Sequence, residues 1–493
     1  MQLYDKDLLS VQEVRELVER AKAAQQELSE KSQQEVDAIV KSIADAGVRN
    51  ARRLAKLAHE ETGFGVEADK VIKNVFASRD VYEHIKDMKT IGELGRDEER
   101  KIRTIAVPVG VIAGLIPSTN PTSTALYKSE IAIKAGNAIV FSPHPNARNC
   151  ILETVKVIRQ AIVEAGGNED LVSCITIPTL QATDNLMRHA DVSMILATGG
   201  SAMVRAAYSS GTPAIGVGPG NGPAYIEKTA DLPLAVKRII DSKTFDNGTI
   251  CASEQSVVCD TAMEPAVRAE MERQGAYFLT DEQIAKLGGF ILRANGTMNP
   301  MIVGKSAAVI AELAGIEIPA GTKVLVARET GIGRGHPYSN EKLAPILAFY
   351  TAESYVEVCE LCVEILHYEG AGHTFSIHTK DSAMVDYFAK RIPASRIVVN
   401  TPSALGGIGG TTALMPALTL GCGAIGGSAT SENVGPMNLL NLRYVAEGLQ
   451  EIEEIKAGLP DCSEGICKVQ KLNLNDVDVD ALVSEIVKRL RSI

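Results

Sequence analysis

The sequence predicts an α/β protein that contains two doubly wound parallel sheets. Short apolar runs alternate with amphipathic helical patterns between residues 104 and 211, which is typical of βαβ units. The alternation resumes after residue 250 and indicates a second α/β domain. The length of 493 residues agrees with this prediction, because a domain takes about 150 residues and two or three domains are expected.

The predicted elements follow in order along the chain. Residues 10–92 carry apolar positions at three- and four-residue spacing and predict successive helices. In the first block we expect strands at 104–117, 138–142, 173–178 and 193–200, and helices at 153–167, 183–190 and 201–211. In the second block we expect strands at 254–260, 323–329, 374–379 and 396–400, with a helix and a strand within 266–279. The Gly- and Thr-rich stretch 401–436 is too apolar for a solvated linker, so we expect buried coil there.

Composition and charge exclude several classes of protein. The chain has 50 Lys+Arg and 61 Asp+Glu, and the formal net charge of −11 argues against nucleic-acid binding. No apolar run reaches about 18 residues, so we expect no membrane span. The polar start MQLYDKDLLSVQEV lacks the pattern of a signal peptide, and we expect a cytoplasmic protein.

Cys251 is the candidate nucleophile. It lies in FDNGTICASEQSVVCD, where its small neighbours let a substrate and backbone N–H groups approach a thiol. A buried structural cysteine in a tight turn would show the same pattern, so both interpretations stay open. The other cysteines and the eight histidines show no metal-ligand spacing, and no metal site is predicted. Cys359 and Cys362 lie in a helical pattern and are interpreted as core residues.

Three further segments are typical of ligand-binding turns at strand ends. Asn120, in PSTNPTSTALYKS, can donate to a developing oxyanion, although an Asn–Pro turn is an equal alternative. The segment ATGGSAMVRAA (197–207) places a Gly-Gly-Ser turn at a helix N-terminus, where a phosphate can bind. The segment VGPGNGPAYI (217–226) is another Gly-rich turn. These turns and the candidate thiol together are stronger evidence for a functional site than any one of them alone.

In order and spacing, these motifs resemble the aldehyde dehydrogenase superfamily. FDNGTICASEQ, TNPTSTALYKS, FSPHP and TLGCGAIGGSATSENVGP are most similar to its coenzyme A-acylating branch, including the aldehyde dehydrogenase half of bifunctional aldehyde-alcohol dehydrogenases. The resemblance covers roughly residues 5–455. It implies two doubly wound parallel-sheet domains plus a small β oligomerisation arm.

The resemblance also implies an order of domains. We expect N-terminal helices and an NAD(P)-binding domain in 1–240, with part of the arm at about 95–115. A catalytic domain in 241–425 would carry the nucleophile, and 426–458 would return to the cofactor domain and the arm. A linker at 459–475 and an amphipathic helix at 476–493 would follow these domains.

Residue roles come from the resemblance, position by position. Cys251 matches the nucleophile that forms a thiohemiacetal and then an acyl-thioester, and Asn120 with the backbone N–H of Cys251 matches the oxyanion hole. Glu341 matches the residue that holds the nicotinamide ribose. The remaining cofactor-binding positions implied are Ser142, Pro143, His144, Gly199, Gly200, Ser201 and Gly218. NAD is the expected cofactor, and NADP stays open because Ser142 and Pro145 replace the residues that grip the adenine ribose in hydrolytic members.

One departure from the hydrolytic members predicts the second half of the reaction. Val217 stands where those members carry the Glu that activates water, so release of a free acid should be slow. A thiol such as coenzyme A needs less assistance as a nucleophile. We therefore expect a short-chain aldehyde, CoA and NAD⁺ to give acyl-CoA and NADH. An acyl-phosphate reductase, a longer-chain aldehyde substrate and a shell-associated scaffold are the alternatives. His373 and His378 are interpreted as packing or substrate-contact residues.

The segment 476–493 carries an apolar stripe with acidic residues at its start and basic residues near its end. A helix docked on its own domain and a detachable helix both fit this pattern. Some acylating relatives carry such a helix as an encapsulation peptide for bacterial microcompartments, so the resemblance favours the detachable form. It implies acetaldehyde or propionaldehyde as substrate, shell or cargo proteins as partners, and a homodimer or dimer of dimers inside a microcompartment.

Overall fold

Helices and strands alternate through most of the chain. The computed structural model describes residues 5–293 and 296–457. The helices are α1 Lys6–Ser29, α2 Gln33–Thr62, α3 Glu67–Val75, α4 Val81–Ile85, α5 Pro121–Lys134, α6 Arg148–Glu164, α7 Leu180–Met187, α8 Ser201–Tyr208, α9 Leu232–Thr244, α10 Glu264–Arg273, α11 Asp281–Ile291, α12 Ala307–Ala314, α13 Tyr355–Tyr368, α14 Ser382–Ala389, α15 Ser403–Gly407 and α16 Ile452–Ala457. The strands are β1 Gly92–Asp97, β2 Ile102–Pro108, β3 Val111–Ile116, β4 Ala138–Pro143, β5 Val172–Cys174, β6 Val192–Thr198, β7 Ala214–Val217, β8 Gly222–Ile226, β9 Glu254–Asp260, β10 Ala276–Phe278, β11 Val324–Arg328, β12 Ile346–Ala352, β13 Gly372–His378, β14 Ala394–Val399 and β15 Leu440–Ala446.

The N-terminal helices have clear start and stop signals. The Asp5 side chain accepts hydrogen bonds from two backbone N–H groups at the start of α1. Ser32 and Glu35 form a capping box that begins α2, and Gly63 ends it in the left-handed conformation at φ +64°. Each helix buries one apolar face, which confirms the helical prediction for this region.

The first parallel sheet has five strands in the order β5-β4-β3-β6-β7. The chain runs outward from β3 through β4 to β5 and then returns to the other side of β3 as β6. The order therefore reverses between β3 and β6, and ligands bind outside the carboxyl ends of the strands at such a switch point. This sheet confirms the first predicted α/β block, although β7 was not predicted.

The second parallel sheet has seven strands in the order β10-β11-β12-β9-β8-β13-β14. Strand β9 matches the predicted strand 254–260 in full. Strand β12 lies between β11 and β9 and was not predicted, although its sequence ILAFYTA is apolar and almost wholly buried. Strand β8 pairs within this sheet while preceding residue 241, the predicted start of the catalytic domain. Two doubly wound parallel sheets are present, as the sequence predicted.

The Gly-rich stretch 401–436 contains α15 and otherwise runs mostly as coil, as predicted. Its backbone segments lie very close together. A Cβ atom on Gly421 would lie 2.3 Å from the carbonyl oxygen of Thr430, so only glycine fits at 421. The α13 cysteines Cys359 and Cys362 are buried, which confirms the core interpretation.

The described residues divide into two compact units. Of the described residues, one unit takes in 5–94, 105–293 and 296–443, and the other takes in 95–104 and 444–457. Strands β1, β2 and β15 form a three-stranded sheet in that order. The predicted linker 459–475 and helix 476–493 lie outside the described residues. Within 5–293 and 296–457, no helix combines the length and apolar character needed to cross a membrane.

Candidate active site

A cavity of about 540 Å³ lies at the switch point of the first sheet. Its walls include residues that follow β3, β4, β6 and β7 and residues that precede β8, β9 and β12. It therefore lies between the carboxyl edge of one parallel sheet and the amino edge of the other. Its lining includes all the predicted site residues except one, namely Cys251, Asn120, Ser142, Pro143, His144, Gly199, Gly200, Gly218 and Glu341. Ser201, the exception, is exposed at the start of α8.

Cys251 is the reachable cysteine of the described region. It is partly exposed in the cavity wall, whereas the six other described cysteines are buried, namely Cys150, Cys174, Cys259, Cys359, Cys362 and Cys422. Burial raises the pKa of the Cys251 thiol to about 12, the Glu341 carboxylate adds to the rise, and the Arg396 guanidinium opposes it. The thiol is therefore protonated at neutral pH in the free protein.

The turn before Cys251 is conformationally strained. Asp246 and Asn247 both have positive φ angles, +47° and +52°, although neither is glycine. Such angles cost energy and persist only where surrounding contacts enforce them. The side chain of Asp246 is buried and bonded to Lys70 and Lys73 of α3, so helix α3 holds the turn that presents Cys251.

Gly220 brings the Gly-rich turn against the nucleophile. A Cβ atom at this position would lie 1.9 Å from the carbonyl oxygen of Cys251, so a side chain cannot be accommodated without displacing the backbone. The backbone N–H of Gly220 donates to Oε1 of Glu341 at 2.8 Å. Burial raises the pKa of Glu341 to about 8, and the Glu369 carboxylate adds to this effect. Glu341 is therefore largely protonated at neutral pH.

Asn120 is the N-cap residue of α5 but its side chain does not cap the helix. Its Oδ1 accepts a hydrogen bond from Lys73 Nζ at 2.5 Å, and its Nδ2 lies 3.4 Å from the carbonyl oxygen of Thr249. The amide thus faces the segment that leads into Cys251. Both the oxyanion and the Asn–Pro turn interpretations are compatible with this position, and the missing cap bond favours the first.

The turns after β4 and β6 form the opposite part of the cavity. Ser142 is buried and its hydroxyl lies 2.8 Å from that of Thr183, while Nδ1 of His144 accepts from the backbone N–H of Asn146. Gly200 is the N-cap of α8, and a Cβ atom there would meet nothing within 4 Å. The open N-terminus of α8 fits a phosphate group, because its first backbone N–H groups lack acceptors within the helix.

His373 and His378 of β13 are buried and do not line the cavity. Nδ1 of His373 lies 2.9 Å from the Thr374 hydroxyl, and its Nε2 has no hydrogen-bond partner among the described residues. Burial lowers the pKa of His373 to about 3, so it is neutral at physiological pH. A packing role agrees with these positions. Among the described residues, no group of three His, Cys, Asp or Glu side chains could hold a metal ion.

Lys73 is a site residue that sequence reasoning missed. It is about 2% exposed in α3 and contacts both Asn120 and the Asp246 turn. Two lysines three residues apart on a short helix normally indicate a solvated face. The local sequence EADKVIKNV (67–75), with Glu67, Asp69 and Asn74 near the two lysines, gives no signal that Lys73 is buried.

A reachable cysteine in a switch-point cavity that fits a phosphate is typical of enzymes that combine a thiol nucleophile with a bound nucleotide cofactor. The comparison with known families agrees, because the model of the aldehyde dehydrogenase family matches residues 3–411. The chain belongs to the aldehyde dehydrogenase family.

Several of the similar proteins are named as acetylating or acylating dehydrogenases. The chain is 45% identical over 443 residues to the bifunctional aldehyde-alcohol dehydrogenase AdhE of Escherichia coli (strain K12), covering 89% of this chain and 50% of that protein. It therefore spans about half the length of that curated relative. A probable aldehyde dehydrogenase from Listeria monocytogenes EGD-e is 63% identical, with a TM-score of 0.91 and coverage of 92% and 100%. An acetylating aldehyde dehydrogenase from Geobacillus thermoglucosidasius is 52% identical, with a TM-score of 0.90 and coverage of 91% and 99%.

Two solved structures at lower identity bear on the chemistry. A propionaldehyde dehydrogenase from Rhodopseudomonas palustris, solved with bound CoA and an acylated cysteine, is 28% identical with a TM-score of 0.79 over 88% of this chain and 97% of that one. A propionaldehyde dehydrogenase from the Clostridium phytofermentans fucose utilisation bacterial microcompartment is 28% identical with a TM-score of 0.80 and the same coverage.

Proposed function

We propose that this protein is a CoA-acylating aldehyde dehydrogenase. It would convert a short-chain aldehyde, CoA and NAD⁺ reversibly to acyl-CoA, NADH and a proton. One observation carries the proposal: Cys251 is partly exposed in the switch-point cavity, whereas every other cysteine of the described region is buried. The acylated cysteine of the R. palustris enzyme supports the same use of a thiol.

The first step is attack of the Cys251 sulfur on the aldehyde carbon. The thiol must lose its proton, and the developing alkoxide then needs donors. Nδ2 of Asn120 and the backbone N–H of Cys251 are assigned that role, since both belong to the cavity wall. NAD, when bound at the turns after β4 and β6, would supply the hydride acceptor, and Cys251 would then hold the acyl group on its sulfur as a thioester.

The cavity offers little help to a water molecule in the second step. Val217 lines it where hydrolytic relatives carry a carboxylate, and Glu341 is the one acidic side chain among the described lining residues. Glu341 accepts a hydrogen bond from the backbone N–H of Gly220, and because burial raises its pKa to about 8, only a small fraction of it is ionised at neutral pH and available to accept a proton from water. Acyl transfer to the thiol of CoA is therefore favoured over hydrolysis.

The cofactor and substrate preferences are part of the proposal. Ser142 and Pro143 at the end of β4, and His144 directly after it, supply no carboxylate for an adenine ribose, so NAD is proposed with NADP as the alternative. Gly199 and Gly200 would receive the phosphates at α8. Acetaldehyde or propionaldehyde is proposed as substrate, in agreement with the names of the acetylating and propionaldehyde-specific relatives. A longer-chain aldehyde and an acyl phosphate are the competing substrates.

Assembly and location follow as further parts of the proposal. Strand β15 is an edge strand with exposed apolar side chains, including Leu442 and Tyr444, and edge strands of this kind pair with other chains. We therefore propose a homodimer or a dimer of dimers. The pattern of 476–493 and the microcompartment origin of one similar structure support encapsulation with shell or cargo proteins in the cytoplasm.

A steady-state panel tests the proposed reaction. Purified protein is assayed with C2 to C4 aldehydes, with CoA or inorganic phosphate, and with NAD or NADP. CoA-dependent NADH formation that disappears in Cys251→Ala and persists in the buried control Cys359→Ala is expected. Phosphate-dependent turnover would instead establish the reductase alternative, and full activity of Cys251→Ala would refute the assigned nucleophile.

Deletion of 474–493 tests the proposed role of this segment in encapsulation. The truncated protein should keep its activity in solution and lose co-purification with shell proteins. Loss of folding on truncation would instead support a helix docked on its own domain.

A further inference from the structure

A buried ammonium group lies directly behind the proposed oxyanion donor. Lys73 Nζ has three hydrogen-bond acceptors: Oδ1 of Asn120 at 2.5 Å, Oδ2 of Asp246 at 2.5 Å and the Thr249 hydroxyl at 2.9 Å. An ammonium group has three N–H donors and no acceptor, so every donor of Lys73 is used. This is a complete network inside the protein, and it reaches from α3 to both sides of the site.

These contacts settle which way the Asn120 amide points. The amide oxygen must face Lys73, because Lys73 offers only donors. The amide nitrogen must face the carbonyl oxygen of Thr249, which offers only an acceptor. The two neighbours thus demand the same orientation, with Nδ2 toward the segment that ends in Cys251.

The donor side of the amide is only loosely engaged. Nδ2 of Asn120 lies 3.4 Å from the Thr249 carbonyl oxygen and 3.2 Å from the Thr119 hydroxyl, both longer than a strong hydrogen bond. The acceptor side is held by a charged group at 2.5 Å. An aldehyde oxygen can therefore compete for the N–H groups, while the carbonyl end of the amide stays fixed and polarised.

We propose that Lys73 is a positioning residue of the aldehyde reaction, holding the Asn120 amide so that its N–H groups face the oxyanion formed at Cys251. The inference rests on the proposed function, since it needs Asn120 to be the oxyanion donor. Lys73 touches no substrate atom and acts through Asn120.

Lys70 provides a matched comparison on the same helix. Its Nζ bonds the same Asp246 oxygen at 3.0 Å and the Thr119 carbonyl oxygen at 3.3 Å, but it makes no bond to the Asn120 side chain. Both lysines are buried. Burial of the Asp246 carboxylate acts to raise its pKa, but the charges of Lys73 and Lys70 and its hydrogen bonds hold the pKa below its ordinary value. Loss of either lysine weakens the network around Asp246. Only the loss of Lys73 also frees the Asn120 amide.

A double-mutant cycle separates the two effects. Lys73→Met and Lys70→Met are each made in the wild-type and Asn120→Ala backgrounds, and kcat, KM for acetaldehyde and Tm are measured for every variant. Lys73→Met should lower kcat about 10-fold or more with a smaller change in KM, because a misplaced donor is lost mainly in the transition state. In the Asn120→Ala background it should cause no further loss of kcat, and Lys70→Met should show no such dependence on Asn120.

The outcomes are distinct. If Lys73→Met lowers kcat by the same factor in both backgrounds, or leaves kcat unchanged in a folded protein, the positioning role is wrong. If Lys73→Met does not fold, Lys73→Met combined with Asp246→Asn removes the unpaired carboxylate and repeats the comparison with Asn120→Ala. Failure of wild-type CoA-dependent NADH formation would overturn the proposed function itself, and wild-type kcat in Asn120→Ala would overturn the oxyanion assignment on which the inference rests.

Discussion

The ionisation of Cys251 gives the sharpest test of the site's electrostatics. Burial raises the pKa of this thiol to about 12, with Glu341 as a further cause and Arg396 opposing. An exposed cysteine has a pKa of about 8.5 and is roughly one-tenth ionised near pH 7.5. Cys251 should then be ionised to roughly one part in 10⁴ to 10⁵ at the same pH. In the free protein its alkylation should be about a thousandfold or more slower than that of an exposed thiol, since the thiolate is the reactive form.

The pH dependence carries the reasoning further. The thiolate fraction, and with it the alkylation rate, should rise from pH 7 to pH 10 without a plateau, by about tenfold per pH unit except near pH 8, where ionisation of Glu341 makes the rise shallower. Glu341 has a pKa near 8, so it is neutral below that pH and contributes its opposing charge only above it. Glu341→Gln should therefore match the wild type below about pH 8 and react faster above it. Because Cys251 and Glu341 interact, the titration steps seen in the labelling rate belong to the pair and not to either residue alone.

The assay is iodoacetamide labelling followed by mass spectrometry of the peptide that contains Cys251. The buried Cys359 serves as internal control, because its labelling reports unfolding at high pH. Circular dichroism at each pH confirms that the fold persists. A labelling rate of Cys251 that is already flat between pH 7 and 8 would refute the reasoning, since it would mean that the thiol is ionised in the free protein. Faster labelling of Glu341→Gln below pH 7 would refute the assigned state of Glu341.

Three further substitutions have defined outcomes. Gly220→Ala should lower kcat about 100-fold, because the new Cβ would lie 1.9 Å from the Cys251 carbonyl oxygen. The control Gly289→Ala adds its Cβ to open space on α11 and should leave kcat unchanged. Steady-state NADH formation by the two variants tests this prediction. Asn137→Ala should lower the thermal midpoint, since the buried Leu439 carbonyl oxygen and the partly buried Gly110 N–H each lose a hydrogen bond of 2.9 Å, at about 1–3 kcal/mol for the buried group, and an unchanged midpoint would contradict it. Val217→Glu should produce free acid without CoA, detectable as acetate, and the absence of acetate in a folded variant would show that a carboxylate there cannot activate water.

The residues that the sequence located lie where a single local motif determines their place. Asn120 and Gly200 each follow a strand of the first sheet by a few residues, and a parallel sheet brings such ends to one edge. Cys251 instead precedes β9 of the second sheet, and its place beside them was implied by the family resemblance and not by local spacing. Ser201 was assigned with Gly200 to the same turn, but it is exposed at the start of α8 and does not line the cavity, whereas Met203 of the same helix does.

The parts that the sequence did not reveal depend on distant packing. Lys73 is buried because α3 packs against a turn that is 173 residues away along the chain. Nothing in its local pattern distinguishes it from a solvated lysine. Strand β12 was missed for a related reason: in a sheet that is buried on both faces, the strand lacks the alternation that marks a half-exposed one. Such features become visible only when the whole sheet is assembled.

The cavity brings together the carboxyl edge of the first parallel sheet and the amino edge of the second, and both edges contribute hydrogen-bond donors. Cys251 lies at the amino end of β9, where backbone N–H groups rather than carbonyl groups remain available. Asn120 and Gly200 lie at the N-termini of α5 and α8, which carry the positive ends of helix dipoles. The acidic side chain in the described lining, Glu341, is held neutral below about pH 8. Under the proposed function, the site would present these donors to an oxyanion and to phosphates inside a chain of net charge −11, so the overall charge says little about the site. Burial raises the pKa of the Cys251 thiol, and an aldehyde oxygen bound among those donors would then provide a place for the negative charge.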